Sequence, residues 1–333
     1  MVIIDNYSVA VAMSFITMLC WGSWANTQKL ASKNWKYQLF YWDYGYGVLI
    51  IALLFALTMG NSGSAGRSFF VDLQQASNQS IGWAILGGIV FNLSNILLVG
   101  AIDIAGLAVA FPLAIGLALI IATITNYVAN PLGDPYFLFI GVACVIIALV
   151  ADVLAYRKIP SSEQKTPAKG FILSILSGIT MGFFYRFVAA SMSTDFVNMK
   201  IGKLSPYSAV VIFSVGLILS NFIFNSILMA KPFTGEPVPF SDYFKKGTPK
   251  LHLIGILGGA IWGLGMMFSI LSAGSTGYAI SYGLGAQGGT LVAALWGVFI
   301  WKEFKNAHKG TNILLTVMFS FYIIGLVLVI LAR

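Results

Sequence analysis

Hydrophobic residues run along this chain in blocks too long for a globular core. Ten mainly apolar stretches can be marked, at roughly 7–28, 38–59, 81–101, 104–127, 136–156, 170–190, 206–230, 251–272, 276–300 and 311–332. Each is near the roughly 20 residues a helix needs to cross a bilayer core about 30 Å thick. Polar residues collect between the blocks. The longest polar stretches, about 60–80 and 231–250, are short, and the second holds Pro232, Pro237 and Pro239, which suits an irregular loop. The first block is not expected to be a cleaved leader, because Met1 to Asn6 has no basic residue and carries Asp5. The pattern predicts an all-α integral membrane protein of ten spanning helices.

Composition closes off the alternatives. Of 333 residues, 58% are hydrophobic and 9% charged, against about a quarter charged in soluble domains. Cys20 and Cys144 lie in apolar blocks and read as small hydrophobes. The net charge of +8 follows loop placement. Lys29, Lys33, Lys36, Arg157, Lys158, Lys165, Lys169, Lys231, Lys245, Lys246, Lys250, Lys302, Lys305 and Lys309 fall on one side. Arg67, Lys200, Lys203 and Arg333 fall on the other, with Arg186 inside a block. The basic side should be cytoplasmic, which places both termini outside a cytoplasmic (inner) membrane. A nucleic-acid surface would need these residues gathered on one face, so no nucleic-acid partner is expected. The partners are the lipid bilayer and a small molecule, with the protein a monomer or homodimer.

The third and fourth blocks repeat in the eighth and ninth. Ile85-Leu86-Gly87-Gly88 returns as Ile256-Leu257-Gly258-Gly259 at an offset of 171, and in the same register Leu93 matches Leu264, Gly106 Gly277, Ala108 Ala279 and Leu113 Leu284. The unit is then five helices, so the second copy enters the membrane from the opposite side. Two inverted five-helix repeats are expected, 1–156 and 170–333, joined by a cytoplasmic loop at 157–169. This is an architecture of secondary transporters working by alternating access about a midplane site.

Several short motifs carry a family likeness. They are Trp21-Gly22-Ser23-Trp24, Trp42-Asp43-Tyr44, Gly141-Val142-Ala143-Cys144, Gly277-Tyr278-Ala279, and Trp296-Gly297 running into Trp301-Lys302-Glu303-Phe304. On these the chain resembles the drug/metabolite transporter superfamily. Within it the chain is most similar to the ureide permeases, and less so to L-rhamnose–proton symporters and bacterial glucose-uptake permeases. The resemblance implies ten helices in a five-plus-five arrangement and proton-coupled import of allantoin, uracil or related heterocycles, or of a sugar. The longer ureide permeases carry an extended central loop with a phosphate-loop-like motif, which residues 157–169 lack.

Ionisable and polar groups within the blocks are the functional candidates. Asp43, about five residues into the second block and flanked by Tyr41, Trp42 and Tyr44, is the candidate for ion coupling, since desolvation favours the protonated form of a carboxylate. Its bland alternative is an interfacial anchor pairing Lys29 or Lys36. A pair of gates is expected, Lys29 with Asp43 inside and Arg186 with Asp195 outside, and Arg186, set among Phe183, Phe184, Tyr185 and Phe187, is also a candidate substrate-binding residue; the alternative for both cations is snorkelling to headgroups. Asn92 and Asn95 share a face of the third block and offer donors and acceptors to a ureide, nucleobase or sugar; otherwise they join helices. Gln287 is a further amide of the same kind. Trp24, Tyr44, Trp262 and Tyr282 are candidate stacking or lining groups, or ordinary core aromatics. Gly283-Leu284-Gly285-Ala286-Gln287-Gly288 matches a dinucleotide fingerprint but lies in an apolar helix with no βαβ unit. No nucleophile elbow, metal-ligand spacing or carboxylate pair appears, so neither an enzyme nor a cofactor is expected. The coupling ion is a proton, with sodium the alternative. Competing functions are metabolite or drug export and ligand sensing without transport.

Overall fold

The computed structural model describes residues 1–31, 35–105, 107–158, 168–233, 235–302, 304–305 and 307–332. Lys33, Gly106, Lys165, Glu303, Arg333 and most of the 157–169 connector lie outside them. The described residues are helical, with one isolated bridge between Met192 and Leu204. In chain order the helices are α1 (Tyr7–Ser23), α2 (Ala25–Ala31), α3 (Tyr37–Leu57), α4 (Phe69–Gln75), α5 (Asn78–Ala105), α6 (Leu107–Ala129) and α7 (Pro135–Tyr156). There follow α8 (Ala168–Ser191), α9 (Pro206–Ala230), α10 (Ser241–Lys245), α11 (Pro249–Thr276), α12 (Tyr278–Leu295) with a π turn at Trp296–Ile300, and α13 (Thr311–Leu331).

Among the described residues nine helices are long and apolar enough to cross a membrane, counting α1 with α2 and α12 with the π turn as one span each. The fourth expected block forms α6, whose described apolar stretch is the shorter Leu113–Ala129. Start signals are local. Asp134, Ser205 and Thr248 each cap a helix, accepting from the backbone N–H of Tyr136, Ser208 and Leu251, and each is followed by Pro at the first helical position. Two expected loops contain short helices, α4 and α10. The eighth block extends to Thr276, and a single residue, Gly277 at φ 82°, turns the chain into α12; that φ favours glycine.

Glycines set the packing. Gly88 of α5 sits against the backbone of Phe213 in α9, and Gly216 of α9 against the carbonyl of Ile85. The same crossing recurs between α11 and α3. Gly259 sits against the carbonyl of Tyr44, and Gly47 against that of Ile256. A second crossing also occurs twice. Gly22 of α1 meets the carbonyl of Gly289 and the side chain of Val292, while Gly182 of α8 meets the carbonyl of Ala118 and the side chain of Ile121. Finally α7 and α13 cross where Gly141 and Gly325 each face the other's carbonyl. Small residues let membrane helices approach this closely.

The two ends of the chain meet. The Tyr7 hydroxyl donates to the carbonyl of Ile330 at 2.7 Å, and the Asp134 N–H to that of Ala332 at 2.6 Å. Asn61, Phe69 and the 192–205 loop share this end of the bundle. Lys29, Trp35, Tyr243, His252 and Trp301 lie at the other.

Candidate functional site

A cavity of about 100 Å³ lies in the middle of the bundle, between α1, α5, α6, α8, α11 and α12. Its aromatic lining is Trp21, Trp24, Phe91, Phe184, Trp262 and Tyr282. The rings brace one another. Trp21 stacks on Trp262 with centroids 6.0 Å apart, Phe91 lies 4.2 Å from Trp262, and the Trp21 indole donates to the Trp262 carbonyl at 3.3 Å. The polar lining is Asn95 and Thr290. Among the described residues the buried Asn95 Nδ2 has no hydrogen-bond partner, a state that costs free energy unless something supplies an acceptor. Drug-sized ligands occupy roughly 300–1,000 Å³, so this space fits a much smaller solute.

The cavity is closed towards the chain termini. There Tyr185, Ser269, Ser272 and Ser281 form a buried hydroxyl cluster. Tyr185 Oη is 2.8 Å from Ser269 Oγ, and Ser272 Oγ is 2.9 Å from Ser281 Oγ. The Tyr278 hydroxyl donates to the Ser193 carbonyl at 3.1 Å just beyond. Of the remaining lining, Leu98, Ile115, Gly289 and Ala293 belong to the halves of α5, α6 and α12 nearer the lysine-rich end, while Met181 and Ala286 lie near the middles of α8 and α12. The space therefore leans towards that end.

Of the two expected asparagines only Asn95 reaches the cavity. Asn92 is rotated off that face and donates from Nδ2 to Ser220 Oγ at 3.0 Å, joining α5 to α9, with its Oδ1 unpaired. The cavity face of α5 is Phe91, Asn95 and Leu98, spaced by four and three residues. Trp24, Trp262 and Tyr282 line the space as expected. Tyr44 stands behind them, its ring 5.1 Å from Trp24 and 6.4 Å from Trp262, and its buried hydroxyl is unpaired. Gln287 is fully buried with neither amide atom partnered, outside the cavity lining.

Asp43 is buried at 1% exposure. Because α3 begins at Tyr37, Asp43 lies about 9 Å along the axis, deeper than the sequence pattern suggested. Its partners are not the expected lysines. The Tyr243 hydroxyl donates to Oδ1 at 2.5 Å, and His252 Nδ1 lies 2.9 Å from Oδ1 and 3.1 Å from Oδ2. The Trp35 ring packs edge-on to His252 at 5.2 Å. Gly255 makes the arrangement possible, since a methyl group there would overlap the Asp43 side chain. Burial and the Asp43 carboxylate push the Tyr243 phenol above its ordinary range, which keeps it a proton donor. Sequence reasoning missed both partners. His252 stands alone at the start of a block and Tyr243 in an unpatterned loop. The signal available was that a buried Asp requires donors. Lys29 lies over the Trp301 ring at 4.2 Å.

The outer gate residues also sit apart from the expected pairing. Asp195 is exposed and accepts from the N–H groups of Val197 and Asn198 and from Asn198 Nδ2, bonds that hold its carboxyl below the usual range. No ion pair joins it to Arg186 among the described residues. Arg186 is half-buried in a separate pocket with Lys200, Lys203 and Asn126.

Comparison with known proteins agrees with this architecture. Ureide permease 1 of Arabidopsis thaliana is 24% identical over 383 aligned positions, covering 98% of this chain and 97% of that one. The alignment is longer than the 333 residues here, so that relative carries insertions. A probable glucose uptake protein of Bacillus cereus is 24% identical over 72% of this chain and 75% of its own length. A solved structure, described as a crystal structure of a protein, superposes with a TM-score of 0.57 at 13% identity, covering 96% of this chain and 97% of that one, and speaks for the fold. The ureide permease family model matches residues 40–166 and 156–332. This multi-pass helical membrane protein belongs to the ureide permease family.

Proposed function

We propose that this protein is a secondary active transporter that imports a small, neutral, polar solute across the cytoplasmic membrane with a proton, by alternating access. The observation that carries the reading is the central cavity: small, walled by braced aromatics, provided with one unpaired buried amide at Asn95, sealed at one end and leaning to the other. Flat or ring-shaped solutes bearing amide or hydroxyl groups suit such a wall. A ureide or nucleobase-like solute ranks first, after the family, and a sugar second, after the glucose-uptake relative.

Ten spans in two inverted five-helix repeats are the framework of this reading. The doubled glycine crossings support it. Gly88 and Ile85 stand to Phe213 and Gly216 as Gly259 and Ile256 stand to Tyr44 and Gly47. Gly22 stands to Gly289 and Val292 as Gly182 stands to Ala118 and Ile121. The Gly141–Gly325 crossing is its own counterpart, which fits a pseudo-two-fold axis passing there. With the lysine-rich end cytoplasmic, both termini lie outside and the cavity faces inward.

Asp43 is the coupling residue in this scheme. It is buried, near the cytoplasmic end of α3, and linked through His252 to the edge of the membrane. Proton binding to this cluster would alter the contact between α3 and α11, which are helices of opposite halves. The function is tested by uptake of labelled allantoin, uracil and glucose into proteoliposomes under an imposed pH gradient. One of the three should accumulate in wild type, with Asn95→Ala raising KM more than tenfold. Accumulation of none, or an Asn95→Ala variant with unaltered KM for the transported solute, would defeat the assignment.

A further inference from the structure

The end of the bundle that carries the termini holds a second pocket, of about 330 Å³, that the transport scheme does not use. Arg186, Lys200 and Lys203 line it together with Asn126, and among the described residues no carboxylate does. Arg186 is on α8, whereas Lys200 and Lys203 are on the loop before α9. That loop is built. Arg67 donates to the carbonyls of Met199, Lys200 and Lys203 at 3.1, 3.2 and 2.6 Å, and pairs with the fully buried Asp72 at 2.9 Å. Asp72 in turn accepts the Ser205 N–H at 2.7 Å, and Gln75 donates to the Lys203 carbonyl at 3.0 Å. The two lysines are thus held where they stand, beside a third cation.

Three cations around one hollow repel each other. Lys203 donates one of its three N–H bonds to the Ala190 carbonyl at 2.6 Å, leaving two. Its ammonium is pushed below its ordinary range by burial and by the charges of Arg186 and Lys200. The Arg186 guanidinium makes no hydrogen bond within the described residues, although Arg presents five donors. Facing them, Asn126 is buried, donates from Nδ2 to the Ala122 carbonyl at 2.8 Å, and leaves its Oδ1 without a donor. The pocket therefore offers an excess of donors and positive charge, with one buried acceptor at its edge.

We infer that this outer pocket is a binding site for an oxyanion, a carboxylate or phosphate group carrying a hydrogen-bond donor beside its charge. The cations take the oxyanion by charge-assisted bonds, and the Asn126 acceptor takes the adjoining O–H or N–H. The site stands whether or not the central cavity transports a solute. Two sources supply this chemistry, a free anion in the outer medium and the phosphate of an outer-leaflet lipid.

The test is the melting temperature of the purified full-length protein with inorganic phosphate, at constant ionic strength held by chloride. Phosphate should raise the melting temperature of wild type saturably. Lys200→Gln, exposed and outside the packed core, and Lys203→Gln should each shift the half-saturating concentration about tenfold or more. A parallel series in nanodiscs of zwitterionic lipid, with and without a phosphomonoester-bearing anionic lipid, distinguishes the source. Stabilisation that the variants weaken in both series, or in either one, supports the site and names its occupant. Stabilisation absent from both series in wild type, or present and unchanged in both variants, overturns it.

Discussion

Replacing Asp43 by Asn removes one negative charge and leaves the side-chain volume in place. Oδ1 still accepts the Tyr243 hydroxyl, and the new amide N–H faces His252 Nδ1. The Asp43 side chain is 2% exposed and that of His252 26%, so the imidazole reaches water and does not depend on residue 43 alone for a partner. The stability cost is therefore that of exchanging a charge-assisted bond for a neutral one, about 1–2 kcal/mol, and the variant should fold. Coupling should be lost completely. A proton crossing 100 mV contributes about 2.3 kcal/mol, which corresponds to roughly 50-fold accumulation of a co-transported neutral solute. In proteoliposomes with a potassium diffusion potential, wild type should approach that ratio. Asp43→Asn should equilibrate the solute at a ratio near one while still exchanging it. Full accumulation by the variant would refute the assignment of Asp43.

The doubled crossings predict matched defects: Gly88→Val and Gly259→Val both drive a side chain into a facing backbone, so each should cost at least the ~1–3 kcal/mol of an overpacked core. Melting in detergent should fall by similar amounts, and a large effect at one site with none at the other would contradict equivalence. Asp72→Asn breaks a buried pair with Arg67 and should cost about 3–5 kcal/mol, read as lowered melting and protease cleavage within 192–205. The depressed Lys203 ammonium means that the unfolded chain binds more protons than the folded one just below the ordinary value of 10.5. Stability should therefore rise with pH on approaching 10.5, and Lys203→Gln should flatten that slope in melting curves without added anions.

Much of the fold is legible in the residues because the bilayer enforces a simple code. Nine of the ten apolar blocks become helices long and apolar enough to span among the described residues, the fourth forming a helix whose described apolar stretch is shorter, and three of the spanning helices open at a polar cap followed by proline. The Ile-Leu-Gly-Gly repeat marks the crossing the structure shows at Gly88 and Gly259. What is not legible depends on helix rotation and on loops. Asn92 and Asn95 are three apart, a spacing that leaves them about 60° from superposition at 3.6 residues per turn. That rotation sends one to the cavity and the other to Ser220. Asp43 attracts attention by its burial, but its partners come from α10 and the start of α11, about 200 residues later, where no local pattern announces them. The outer pocket needs Arg67 and Asp72 to fold the 192–205 loop over α8. Those contacts span more than 130 residues and have no periodic trace.

Alternating access through a central cavity is measured most directly by counterflow. Proteoliposomes loaded with unlabelled solute, with no ion gradient, are diluted into a trace of labelled solute. For the solute that binds the cavity, label should rise transiently above equilibrium and then decay, in wild type and in Asp43→Asn alike. Saturable binding of that solute with no overshoot would show a receptor rather than a carrier, and would contradict the account.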